Sequence, residues 1–140
     1  MSTSLKAYAD ATLSSVIHSP NVLQKLDAST GPVDFIIYLG SVLPGKKVEA
    51  QSNPGVDQIV LNVADSDSGS GQAASSVKLA LSASGLSSAT AGASLNLGAT
   101  ILSGVENAVP VYVRVEASNL SAGTYQDLSL ETNNLVEANA

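Results

Sequence analysis

The stretch VPVYVRV, residues 109–115, leaves the chain little choice of local structure. Val109, Val111, Val113 and Val115 take every second position, with Pro110, Tyr112 and Arg114 between them. A period of two puts the valines on one side of a strand and scatters them around a helix. Ala117 continues the pattern, and after a turn Leu128 and Leu130 resume it, so the segment reads as a pair of strands.

The same device recurs upstream. In GPVDFIIYLG, Phe35, Ile37 and Leu39 share one face and Ile36 and Tyr38 the other, which predicts a strand covered on both sides. Lys47 to Gln51 lies between two Pro-Gly turn signals. In VDQIVLNVAD, Ile59, Leu61 and Val63 face one way, and Gln58 and Asn62 the other. SSVKLALSASG sets Val77, Leu79, Leu81 and Ala83 inward. AGASLNLGATI gives a strand through Ala93, Leu95, Leu97, Ala99 and Ile101, with Gly98 marking a bulge or bend.

About seven or eight short strands, separated by Gly, Ser, Pro and Asn, predict an all-β fold. The expected form is an antiparallel two-sheet sandwich, jelly-roll-like, with an immunoglobulin-like sandwich as the alternative. No long helical period follows residue 30, so the crossover helices of a parallel α/β fold are missing.

The two ends read differently. Leu5, Tyr8, Thr12, Leu13 and Val16 fit a helical face; the same segment also fits an extended chain, with Val16 and His18 in a strand. Pro20 ends either form, and Val22, Leu23 and Leu26 return to helical spacing before Gly31-Pro32. Residues 1–30 are therefore read as an N-terminal arm with one short helix or turn on the sandwich rim, part of the same domain as the β-sandwich of residues 31–140. At the far end, Leu135 and Val136 predict a short strand extension followed by a free end.

Composition narrows the function. Charged residues make up 13% of the chain, against an average of about 25%. Its polar surface is built largely from Ser, Thr, Asn and Gln, which suits closely packed neighbours because few charges need desolvating. The net charge of −6 argues against a nucleic-acid partner. The absence of cysteine excludes disulfides, thiolate metal sites and cysteine nucleophiles, and fits a reducing cytoplasm. The start MSTSLKAYADATLSS has no sustained apolar region of an export signal, and no apolar run approaches the ~20 residues of a membrane span. The expectation is a protein made inside a cell, with no membrane partner.

Catalytic chemistry finds few candidates. His18 is the one histidine, read as a surface or rim residue, and no Gly-x-Ser-x-Gly elbow occurs. Asp65 and Asp67 in VADSDSGSGQ are the candidates for a calcium site, but Ser70 and Ser76 stand where an EF-hand loop needs Gly and Glu. The preferred reading is an acidic hairpin loop, with no cofactor. Nothing selects a carboxylate pair for glycoside hydrolysis among the 12 acids. The four tyrosines are spread along the chain, and there is no tryptophan for stacking on sugars. Tyr125, in SAGTYQD, fits a tyrosine corner and hence a structural role. Low charge and open sheet edges favour an assembly protein over an enzyme.

Three segments carry a resemblance: MSTSLKAYADATLSSVIHSPNVLQKL, DFIIYLGSVLPGKK and VPVYVRVEASNLSAGTYQDLSLET. With the overall length, they resemble the small capsid cement, or decoration, proteins of tailed bacteriophages, of the jelly-roll kind. The resemblance implies a structural virion protein on the capsid exterior. Such proteins bind the major capsid protein across neighbouring capsomers, often as dimers or trimers, and hold the head against packaged DNA. A homo-oligomer is expected, with a dimer favoured. A clamp touching several subunits gains from effective concentration. The family offers no binding residues to transfer; the contact residues suggested by the sequence are Leu5, Lys6 and Tyr8 in the arm and Leu135 and Val136 in the tail. SAGTYQD also resembles the endings of chaperone–usher pilus subunits, although this chain lacks their export signal and disulfide. A carbohydrate-binding module is the third reading.

Overall fold

A computed structural model describes residues 3–17, 33–65, 76–116 and 128–140. Among them the alternating segments form strands: β1 (Lys6–Tyr8), β2 (Val33–Gly40), β3 (Lys46–Ala50), β4 (Val60–Asp65), β5 (Val77–Ala80), β6 (Leu95–Asn96), β7 (Thr100–Leu102), β8 (Val109–Val115), β9 (Leu128–Thr132) and β10 (Leu135–Asn139). Helix in the described residues amounts to a single turn, α1 (Gly85–Ser88), a 3-10 turn at Val105–Asn107 and a 3-10 residue at Ser76. The fold is all-β.

The strands form three antiparallel sheets, ordered β1-β2-β8-β5, β10-β3-β7 and β6-β4-β9. One core draws on all of them: Ile37 and Leu39, Val48, Ile59 and Leu61, Val77 and Leu79, Leu97 and Ile101, Val111 and Val113. The valine stripe of β8 behaves as its period requires, with Val111 and Val113 fully buried and Val109 and Val115 packed at its ends. β8 does not pair with β9, however. It lies between β2 and β5, while β9 pairs with β4. The alternation was legible; the partner was not, because period two specifies a face and not a neighbour.

The second and third sheets are in register with one another. β3 precedes β4, β6 precedes β7 and β9 precedes β10, so the orders β10-β3-β7 and β9-β4-β6 list the same three chain segments. Backbone bonds continue across the break. Leu97 N donates to Ile59 O (2.7 Å), Ile59 N to Gly98 O (2.8 Å), and Gln51 N to Asn134 O (2.9 Å). The expected strand Ala93–Ile101 is thus divided between two sheets at Gly98, whose φ of +102° only glycine adopts at low cost. Asn133 ties the bend from the other side: its side chain accepts Val60 N (2.9 Å) and donates to Gln58 O (3.1 Å).

The outer face of the four-stranded sheet is covered only in part: Ile36 and Tyr38 are half-buried and Asp34 is exposed. The register sets Tyr8, Tyr38 and Pro110 in one outward row, Ile36, Tyr112 and Ala80 in the next, then Asp34, Arg114 and Lys78. Tyr8 and Ala80 are nonetheless buried. α1 packs on β5 and β8 and buries Leu86. The strand expected through Leu81 and Ala83 stops at Ala80, where the Ser82 hydroxyl accepts Gly85 N (3.1 Å) and starts this turn; Leu81 is exposed.

Of the two readings of the N-terminal segment, residues 3–17 take the extended one, with a turn at the tip. Residues 3–17 contain no helix, and the helical face of Leu5, Tyr8, Thr12, Leu13 and Val16 does not form. β1 pairs with β2, and the chain then doubles back so that Val16 bridges Tyr8, with Ala9 N on Ser15 O (2.7 Å) and Ile17 N on Ala7 O (2.9 Å). The Asp10 carboxylate closes the tip by accepting the amides of Ser14 (3.1 Å) and Ser15 (3.0 Å) and the hydroxyls of Thr12 and Ser14. These donors, the Ser14 and Thr12 hydroxyls foremost, hold its pKa well below the usual range. The tip turns Leu13, at φ +55°, onto the outer side of the sheet, where it is 3% exposed and sits over Gly40. Backbone pairing and two buried side chains outweigh helix formation in so short a segment. His18, Pro20 and the second helical spacing lie outside the described residues.

The C-terminus is not a free end. β10 pairs along its whole length with β3, and Ala140 N donates to Gly45 O (2.9 Å).

Candidate interaction surface

The structure brings the two suggested contact segments together. Ser4 N donates to Glu137 Oε1 (3.0 Å), and the Ser4 hydroxyl donates to the same carboxylate. The Ser4 and Ser41 hydroxyls also bond each other, and Ser41 Oγ accepts Leu43 N (3.2 Å). The Ser4 hydroxyl, then its amide, lower the Glu137 pKa, with the Lys46 charge adding to the effect. The segment before β1, the β2–β3 loop and β10 are therefore one locality, although Ser4 and Glu137 are 133 residues apart in sequence.

Within it the suggested residues divide. Lys6 is exposed, whereas Leu5 and Leu135 are half-buried and pack on the core. Val136 is half-buried in β10. Tyr8 is 3% exposed and is corrected from a contact residue to a packing residue, because the Asp10 turn folds the chain back over it. Tyr125 and Asp67 lie outside the described residues. Asp65 ends β4, where its backbone pairs with Leu128.

Apolar residues that period-two reading passed over lie beside this locality. Val42 and Leu43 in the β2–β3 loop, and Leu102 and Val105 around the β7–β8 loop, are 59%, 44%, 44% and 45% exposed. The two loops are laced together: Gly104 N donates to Ser41 O (2.9 Å), Ser103 N to Lys46 O (2.8 Å) and Lys46 N to Ser103 Oγ (2.9 Å). The available signal was apolar residues inside a Pro-Gly loop, where no strand face requires them.

Several polar groups elsewhere have structural partners. Glu49, nearly buried, accepts Thr100 Oγ1 (3.1 Å) and lies 3.4 Å from Lys47 Nζ. Arg114 makes a two-pronged pair with Asp34, at 2.8 and 2.9 Å, on the outer face of the four-stranded sheet. A surface depression at the bend is lined by Gln51, Ser52, Asn133 and Asn134, which offer hydrogen bonds and no titratable group. Among the described residues no three His, Cys, Asp or Glu side chains group to hold a metal, and no helix is long and apolar enough to cross a membrane. Comparison with protein-family models, curated proteins and solved structures gave no match.

Proposed function

We propose that this chain is a structural virion protein, a cement protein that binds the outside of a phage capsid and clamps neighbouring major capsid proteins. The observation that carries the reading is the junction of the two ends. Ser4 on Glu137 sets the N-terminal segment beside β10, so Lys6 and Val136 belong to one locality instead of two loose tails. A rigid surface of this kind loses less entropy on docking than two tethered segments. Low charge lowers the desolvation cost of close packing.

We further infer a two-layered sandwich, with the four-stranded sheet as one layer and the two three-stranded sheets as halves of a second, bent layer. The matched strand orders and the single shared core support this arrangement. Consecutive described strands then alternate between layers from β2 onward: β2, the β3/β4 segment, β5, the β6/β7 segment, β8, the β9/β10 segment. An immunoglobulin sandwich instead keeps several consecutive pairs within one sheet. The alternation favours the jelly-roll form.

The test is co-sedimentation of the purified protein with capsids stripped of it. Saturation at a fixed ratio to the major capsid protein, with raised resistance of the shell to heat, is expected. Absence of binding across a range of salt ends the reading. A carbohydrate-binding role is the second reading, favoured by one observation: the register gathers Tyr38 and Tyr112, both half-buried, on the same face of one sheet. A glycan array separates the two.

A further inference from the structure

We propose that the loop end formed by residues 41–46 and 102–106 is a self-association surface, whose occupant is the same end of a second copy of this chain related by a two-fold axis.

Four of the large exposed apolar side chains, Val42, Leu43, Leu102 and Val105, lie on these two laced loops. The hydrogen bonds between the loops hold these four side chains on one end of the molecule. Among the described residues β7 is an edge strand, so none of their strands stands between Leu102 and an approaching partner. From Ser41 to Gly45 and from Leu102 to Val105 there is no charge, in a chain carrying −6. Two copies repel through most of their surface and least through this end.

The charges flanking the neutral patch specify the partner. Lys46 closes one loop; its Nζ bonds the neutral Asn139 Oδ1 (2.7 Å), its charge acts on Glu137 without direct contact, and it forms no salt bridge among the described residues. Glu106 lies exposed in the other loop and has no partner among the described residues. A two-fold axis brings residue i of one copy to residue j of the other and j to i. The apolar patches then meet at the centre, and Lys46 faces Glu106 twice at the rim. Four apolar side chains and two rim charges per copy make a small interface, of the class under about 1,200 Å² in total that forms reversibly.

The experiment is sedimentation velocity on the full chain from micromolar to millimolar loading, with thermal melts of every variant. The wild type is expected to pass from monomer to dimer. Leu43→Asp and Val105→Asp, at exposed positions, are expected to stay monomeric without loss of melting temperature. Val56→Asp, 67% exposed at the other end of β3, is expected to dimerise like the wild type and controls for added negative charge. Lys46→Glu and Glu106→Lys alone are each expected to weaken the dimer about tenfold, and together to restore it. A wild type monomeric throughout, a dimer surviving both Asp substitutions, a species larger than a dimer, or a double swap as weak as the singles overturns the proposal. Capsid binding is measured separately: a monomer that still saturates shells would end this inference and leave the cement reading standing.

Discussion

Leu13 and Gly40 offer the sharpest test of how the N-terminal segment joins the fold. Leu13 is 3% exposed, and a Cβ built on Gly40 would lie 2.8 Å from its Cδ1. Leu13→Ala removes a buried side chain whose loss costs about 2–5 kcal/mol. Gly40→Ala adds a methyl against the tip of the buried Leu13 side chain, which must shift, at about 1 kcal/mol and at most about 3. Gly40 is not in the left-handed region, so the substitution also stiffens the unfolded chain and returns roughly 0.4–1 kcal/mol. In the Leu13→Ala background the clash disappears and only the gain remains. The double mutant is then as stable as Leu13→Ala or slightly more so, with a coupling of about 1–3 kcal/mol. Urea unfolding followed by circular dichroism reads this directly, from midpoint shifts at constant slope. Additive effects would place Leu13 away from Gly40. A Leu13→Ala cost below about 0.5 kcal/mol, the range of surface substitutions, would return residues 3–17 to the status of a loose arm.

Two further outcomes follow from the bend and from the joined ends. Gly98→Ala meets no atom within 4 Å, so its cost is that of the backbone at φ +102°, on the order of 1–3 kcal/mol, again read from urea midpoints; an unchanged midpoint would mean the bend lies elsewhere. Glu137 has its pKa lowered below its ordinary 4.5 by Ser4. Between the folded and ordinary values the unfolded chain binds more protons, so this stabilisation is complete above the ordinary value and is lost as pH falls through the folded one. Glu137→Gln is expected to shrink the fall in urea midpoint between about pH 7 and about pH 3. Asp10 and Asp34, also lowered, keep part of the acid loss in both proteins. Equal falls would show that Ser4 does not bond Glu137 in solution.

What was legible in the sequence was what period two encodes. Ile59, Leu61, Val77, Leu79, Val111 and Val113 are buried where their alternation puts them. Gly98 marks a bend because a positive φ leaves a compositional trace. Pairing and the fate of the ends were not legible. Nothing local distinguishes β4 from β8 as the partner of β9, and Leu13 reaches the outer sheet face only through a turn held by one carboxylate. Tyr8 has helical spacing with Leu5 and Thr12, but pairing with Tyr38 decides its place. For the interaction surface, the sequence suggested Lys6 in the arm and Val136 in the tail as contacts, with nothing to bring them together. The Ser4–Glu137 bond that joins their segments has no sequence signal at a separation of 133 residues.

That bond also determines how the neutral loop end is held. An ionised carboxylate only accepts, so the Ser4 hydroxyl gives its one proton to Glu137. The Ser41 hydroxyl must then donate to Ser4 Oγ, and Ser41 Oγ is left to accept Leu43 N. Every donor in the chain points toward Glu137, with no frustrated hydroxyl, and the direction is set by one charge on β10. Ser41 is 2% exposed, so reversing or breaking this order strands a buried hydroxyl. The exposed side chain of Leu43 is thus positioned by residues from both ends of the sequence. Shortening the chain before β1 removes Ser4 and with it the acceptor that orients Ser41. The loop surface and the joined termini are for this reason a single structural unit, and a loss at either is expected to be felt at the other.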